Sequence, residues 1–271
     1  MLSRVGQLFA AEMVKVWRTK FPYLGLAASA LMALIARQSV ESLSQPGSNI
    51  TAPSYFVASI NMSTTIIIPI FATIFAAMMV AGETSRGTLR TILARPVTRA
   101  DFLTAKLLTA VFYLLLLLAA NAAVALIIAM GYPLKTSFDA NIDIPGAAGQ
   151  FAIFSLALLL TLVPQIATVC FGFFVSVFSA SVATSIGVAV GVLLSLQPVK
   201  QFIRFGSFDL DEWLFSSYYD TAMRIADNMA MGIYEEWAQT EVYMLLATSF
   251  VSILVFLVLS YHSFVRRDLN C

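Results

Sequence analysis

The chain has 271 residues, of which 59% are apolar and 11% charged, and its formal net charge is +1. Average soluble chains are about 25% charged, and a soluble domain of this size would have too little polar surface to cover itself, so the composition points to an integral membrane protein. The balanced charge gives no bias toward polyanions and argues against a nucleic-acid partner. One histidine, His262, and two cysteines, Cys170 and Cys271, do not support a metal cluster or a disulfide.

Residues 1–20 come first. Val5, Leu8, Phe9, Met13, Val16 and Trp17 share one arc of a helical wheel, with Arg4, Gln7, Lys15 and Arg18 opposite and Glu12 intruding at the apolar edge. That pattern predicts an amphipathic helix lying in the membrane interface. The alternative is the charged leader of a secretory signal with Phe21–Ala36 as its apolar core, but no small-x-small cleavage site follows at the right place.

Six apolar runs follow: 21–39, 55–81, 107–130, 150–177, 182–197 and 242–264. A helix crosses about 30 Å of hydrocarbon with about 20 residues, and backbone polar groups in lipid must be satisfied within the segment, so the runs are expected to be helices. The second, third, fourth and sixth are amply long, and the first and fifth are marginal. The expected fold is an all-α integral membrane protein. It comprises one transmembrane domain with six spans, an N-terminal interfacial helix, a cytoplasmic coupling helix within 82–106 and an amphipathic outer segment over 198–241.

Charge sets the expected orientation. With the N-terminus in the cytoplasm, the inner segments hold eleven basic and four acidic residues and the outer segments five basic and eleven acidic. The positive-inside rule therefore predicts a multi-pass protein of the cell inner membrane with both termini cytoplasmic. In the last outer segment Asp209 and Glu212 read as a helix start. Leu214, Tyr218, Ala222, Ile225 and Met229 then recur at helical spacing between Trp213 and Trp237, which predicts one or two amphipathic helices lying at the outer surface or dipping into the membrane, in preference to a solvated acidic loop.

The longest charged interruption between two apolar runs is 82–106, which holds five of the sixteen basic residues: Arg86, Arg90, Arg95, Arg99 and Lys106. Leu89, Ile92 and Leu93 share a helical face, Pro96 ends that helix, and Thr98-Arg-Ala-Asp101 reads as a capping box that restarts one running into the third span. The plain reading is a basic loop that anchors topology; the functional one is a rigid elbow that a partner can push.

The order Glu83, Gly87-Thr88-Leu89, Ile92-Leu93, Arg95-Pro96-Val97-Thr98-Arg99, Lys106 resembles the ABC-2 type transporter permeases, as does the charged ending Arg266-Arg267-Asp268-Leu269. The resemblance implies a six-span permease subunit of an ABC exporter, paired with a second copy or a paralogue. It also implies two separate ATPase subunits whose groove receives the elbow. On that reading Glu83, Arg86, Gly87, Thr88, Leu89, Ile92, Arg95, Pro96 and Arg99 make up the coupling site. The chain has no G-x-x-x-x-G-K-[ST] phosphate loop, so ATP and Mg are expected on the partner, with no cofactor and no enzymatic activity here. The expected cargo is lipid-like, glycolipid, peptide or otherwise hydrophobic. The competing class is a membrane scaffold or assembly protein that binds an extracytoplasmic partner through its outer acidic helices.

Polar and small residues within the spans are the remaining candidates. Asn61, Thr64, Thr65, Asn121 and Gln165 could line a pathway or make helix–helix hydrogen bonds, and the second role is the commoner one. Gly187-x-x-x-Gly191 permits close helix approach, at a dimer interface or a packing seam. With no charged residue in the middle of a span, a proton- or ion-coupled carrier is disfavoured.

Overall fold

The structure is a computed structural model that describes residues 2–43, 50–88, 98–134, 145–202, 204–205, 208–233 and 237–266. The helices are α1 (Leu2–Trp17), α2 (Phe21–Leu43), α3 (Ala52–Met62), α4 (Ile68–Ser85), α5 (Arg99–Ala129), α6 (Ala147–Phe178), α7 (Val182–Phe202), α8 (Leu210–Trp213), α9 (Thr221–Ala230) and α10 (Trp237–Arg266). A π-turn over Ser63–Ile67 joins α3 to α4, and a short 3₁₀ turn covers Phe215–Tyr218. A single antiparallel pairing, Arg204 with Asp209 and Phe205 with Phe208, links α7 to α8. Six of these segments are long and apolar enough to cross a membrane, as the six apolar runs predict.

The helices outrun the apolar stretches because their polar ends are capped or docked. Thr98 starts α5 by accepting a hydrogen bond from the Asp101 amide at 3.1 Å, which is one half of the expected capping box. Thr51 and Ser54 cap α3, with Pro53 in the first turn, where a missing N–H is harmless. The interior is organised on α4 and α6, which pack along each other; α5 and α2 lie to one side, α7 and α10 to the other, and α1 rests on α5. Gly172 makes the α4–α6 crossing possible, since a Cβ there would sit 2.9 Å from the Thr73 carbonyl oxygen.

The second span is interrupted for an identifiable reason. In the π-turn the Ile68 amide bonds the Ser63 carbonyl. The next carbonyl, Thr64, would need the N–H of residue 69, and Pro69 has none. Gln165 of α6 supplies the missing donor, its Nε2 lying 2.7 Å from the Thr64 carbonyl oxygen. Asn121 of α5 adds a second tie, donating to Ser63 Oγ at 2.6 Å and to the Ser29 carbonyl of α2 at 2.7 Å. Gln165→Leu is therefore expected to strand a buried carbonyl and cost about 1–3 kcal/mol. Pro69→Ala, by restoring an N–H on the same turn, should recover most of that loss in the double variant. Thermal unfolding of the four proteins in detergent checks the cycle.

The segment between α7 and α10 differs from a surface-lying helix. At 21 residues α7 is much shorter than the 32-residue α6, and the chain that follows sinks into the space this leaves. Of the five spaced positions Tyr218, Ala222 and Ile225 are buried and Leu214 and Met229 partly so, and the helix breaks between Tyr218 and Thr221. Tyr219 points inward, with its hydroxyl 2.6 Å from Thr168 Oγ1 of α6. Thr168 lies ten residues before the end of α6, so about 15 Å along the helix from it.

Candidate functional site

At the end of the bundle where α4 stops and α5 begins, four charged side chains meet, Glu83 and Lys106 buried, Glu12 largely so and Lys15 at the water-facing rim, 46% exposed. Glu83 occupies the last turn of α4 and is 5% exposed. Lys106, two turns into α5, is 2% exposed. Glu12 and Lys15 come from α1, one turn apart on the same face. Lys106 Nζ donates to Glu12 Oε2 at 3.0 Å and to Glu83 Oε1 at 3.4 Å. Lys15 also donates to Glu83 Oε1 and lies 3.5 Å from Glu12. The other Glu83 oxygen accepts from the Thr88 hydroxyl. Two cations balance two anions, so the cluster is formally neutral, which makes its burial tolerable.

Each member is held by its local structure. Lys106 lies 5.1 Å from the centre of the Phe102 ring, one turn before it on α5. The arc of α1 that carries Val16 and Phe9 packs on α5, where Phe9 meets Phe112 edge to face at 5.9 Å, and this brings Glu12 and Lys15 to the cluster. Glu12, out of place on an apolar arc in the sequence, is thereby explained. Burial alone would lower the Lys15 ammonium pKa, but the hydrogen bond and charge of Glu83 and the charge of Glu12 outweigh it and hold the pKa above the ordinary value.

Just above the cluster, α4 is locked to α6 and α7 by hydroxyls. Ser176 Oγ donates to the Ala77 carbonyl at 2.6 Å and accepts the amides of Val80 and Ala81 at 3.0 Å each, while Ser185 Oγ donates to the same carbonyl at 2.8 Å. Just below it the chain turns. Gly87 has φ +68°, a left-handed conformation that glycine adopts without strain, and the Thr88 amide bonds back to the Glu83 carbonyl at 3.2 Å. The Gly87-Thr88 pair thus serves as a turn that folds the departing elbow onto Glu83.

The structure brings Glu83, Gly87 and Thr88 together and leaves Arg86 exposed beside them. Leu89, Ile92, Arg95 and Pro96 lie outside the described residues. Arg99 sits at the base of α10, where its Nη1 donates to the Val265 carbonyl at 2.8 Å and reaches that of Phe264 at 3.4 Å, on carbonyls a helix leaves unpaired at its C-terminus. Asn121, Thr64 and Gln165 form the interhelical joint around the π-turn, with Asn61 partly buried near it and Thr65 facing outward. Gly187 and Gly191 lie on an open face of α7, where an added Cβ would meet nothing within 4 Å. Sequence reasoning did not assign Glu12 and Lys15 to the site. The signal for Glu12 was its intrusion on the arc; Lys15, on the polar face, gave none. Among the described residues no group of His, Cys, Asp and Glu could hold a metal ion.

No curated protein matches the chain. A family model described as ABC-2 family transporter protein matches residues 8–195, a stretch that takes in the second half of α1, the whole charge cluster, the first four spans and most of the fifth. Six membrane-spanning helices together with that match establish that the chain belongs to the ABC-2 family of transporter proteins.

Proposed function

We propose that the chain is the permease subunit of an ATP-driven exporter. It is worked from the cytoplasm by two separate ATPase subunits that dock on the 82–106 elbow, with a second permease, identical or paralogous, completing the assembly. The observation that carries this reading is the position of Glu83. One carboxylate joins the end of the second span, the turn that opens the elbow, the start of the third span and the interfacial helix. A displacement of the elbow is thereby passed to α4, α5 and α1 together. ATP and Mg belong to the partner, and the basic elbow faces the cytoplasm of a cell with this protein in its inner membrane. Leu89 and Ile92 would fill the ATPase groove, with Arg86 and Arg95 pairing with acids on its rim, while Arg99 keeps α10 attached to the moving part. Gly187 and Gly191 suit close approach of the second permease. The cargo is lipid-like, glycolipid, peptide or otherwise hydrophobic.

The test is co-purification with the partner ATPase and measurement of its ATP hydrolysis with and without this chain. Leu89→Asp puts a charge on the docking face and is expected to weaken association at least about tenfold, the equivalent of one interfacial charge left unpaired, and to abolish stimulation of hydrolysis. Undiminished association and stimulation in Leu89→Asp would overturn the docking assignment.

A further inference from the structure

At the end of the bundle away from the charge cluster, α5 and α6 splay apart over α3 and leave a groove of about 350 Å³. Its floor is the Phe56–Phe154 ring pair, with centroids 5.8 Å apart. Its lips are Leu126 on α5 and Phe151 on α6, which are 42% and 67% exposed, so it opens sideways on the surface that meets hydrocarbon. The space exists because alanines, among them Ala122 and Ala147, line walls where bulkier residues would close it. We infer that this groove binds one acyl chain of a phospholipid in the leaflet opposite the elbow.

Three observations select that occupant. First, none of the lining residues is charged, and the two polar side chains on the wall each donate close by in sequence: Gln150 Nε2 to the Pro145 carbonyl just before α6 at 3.0 Å and Ser155 Oγ to the Ala152 carbonyl at 2.9 Å. The wall therefore offers little to hold a polar or charged ligand. Second, the groove follows α6 from Ala147 to Leu158, eleven residues or about 16 Å, which matches the depth of one leaflet, half of the ~30 Å hydrocarbon layer. It starts where the apolar run of α6 starts, at the boundary where a lipid's headgroup would sit. Third, its volume of about 350 Å³ holds about a dozen groups the size of a water at roughly 30 Å³ each, and a methylene group is of similar size, so the space is on the scale of a single chain. The inference needs only that the protein spans a membrane and is independent of whether lipid is also the cargo.

Native mass spectrometry of the purified protein, after detergent exchange has stripped the lipid annulus, tests it. Wild type is expected to keep one adduct of phospholipid mass per chain. Ala122→Leu on one wall, and separately Ala147→Leu on the other, fill the groove and should lower the adduct's occupancy roughly tenfold. Complete delipidation should lower the unfolding temperature of wild type and leave that of the filled variants unchanged. The inference is overturned if both variants keep the adduct, or if the adduct has the mass of detergent or free fatty acid. It is equally overturned if wild type carries no lipid.

Discussion

Glu83→Gln is expected to lower unfolding free energy by about 3–5 kcal/mol, the loss seen when one partner of a buried ion cluster is removed and the other charges stay behind. Glu83 carries the largest effect because it serves three partners at once. Neutralising it leaves Lys106, 2% exposed, with Glu12 alone and turns a neutral cluster into one of net charge +1. Lys106→Met is expected to cost less, because Glu83 retains Lys15 and Thr88. Lys15→Met should cost at most about 1 kcal/mol, since its side chain is 46% exposed and water screens the pair. The double variant Glu83→Gln/Lys106→Met should fall well short of the sum of the singles, since the two groups share a network. Thermal or denaturant unfolding in detergent measures all four. If Glu83→Gln proved neutral, or if the two large losses simply added, the cluster would not be a coupled unit.

The ranking also bears on how force would pass through the protein. Lys15 can part from the cluster at modest cost, whereas Glu83 and Lys106 cannot. In the proposed cycle the ends of α4 and α5 then move as one piece, with α1 held to them through Glu12. The hydroxyl lock of Ser176 and Ser185 on Ala77 extends that piece to the ends of α6 and α7. Glu83→Gln should therefore uncouple ATP hydrolysis from transport even in protein stabilised enough to fold.

Much of this arrangement is legible before any coordinates exist, because lipid leaves a strong mark on a sequence. The six apolar runs coincide with the six long helices, and Thr98 announces the start of α5 by the residue three places on. What the sequence could not show were partners distant along the chain. Glu12 was visibly misplaced, but nothing near it named Lys106, 94 positions away. The π-turn was equally hidden. Asn61, Thr64 and Thr65 pointed to a pathway or to helix–helix hydrogen bonds, yet the cause lies in Pro69 removing a donor that Gln165 replaces from another span. Over 214–229 the spacing picked out Tyr218, Ala222 and Ile225, which are buried, and Leu214 and Met229, which are only partly so, but did not show where the helix breaks. A four-residue step survives a 3₁₀ turn, so periodicity alone does not register the break at Tyr219. Gly187 and Gly191 keep their helical spacing, but a single chain has nothing to pack against them.

That break sets up the second large effect. Tyr219→Ala is expected to cost about 3–5 kcal/mol, the range for deleting a buried aromatic ring, and to release the segment between α7 and α10 from the bundle. Tyr219 is 2% exposed and lies beside Phe215, which meets Phe256 of α10 edge to face at 6.2 Å; Phe256 in turn contacts Phe171 of α6 at 5.5 Å. The ring is thus part of the wedge that fills the space above the short α7. The hydroxyl contributes less. Thr168 Oγ1 already donates to the Pro164 carbonyl at 3.0 Å, so the tyrosine must be the donor between them. Tyr219→Phe removes that one bond and leaves Thr168 its own acceptor, for an expected loss of about 0.5–1.5 kcal/mol. Thr168→Val strands the phenolic hydroxyl in the interior and should cost more than Tyr219→Phe, and the pair Tyr219→Phe/Thr168→Val should restore part of the difference. Trypsin reads the release directly. Arg224 of α9 is held by Glu241 at 2.6 Å and packs 5.4 Å from the Trp237 ring, so cleavage after it should be slow in wild type and in Tyr219→Phe and fast in Tyr219→Ala. Equal cleavage in all three would show that the segment is held by its ends, at Lys200–Asp211 and Arg224–Glu241, and not by the ring at its deepest point.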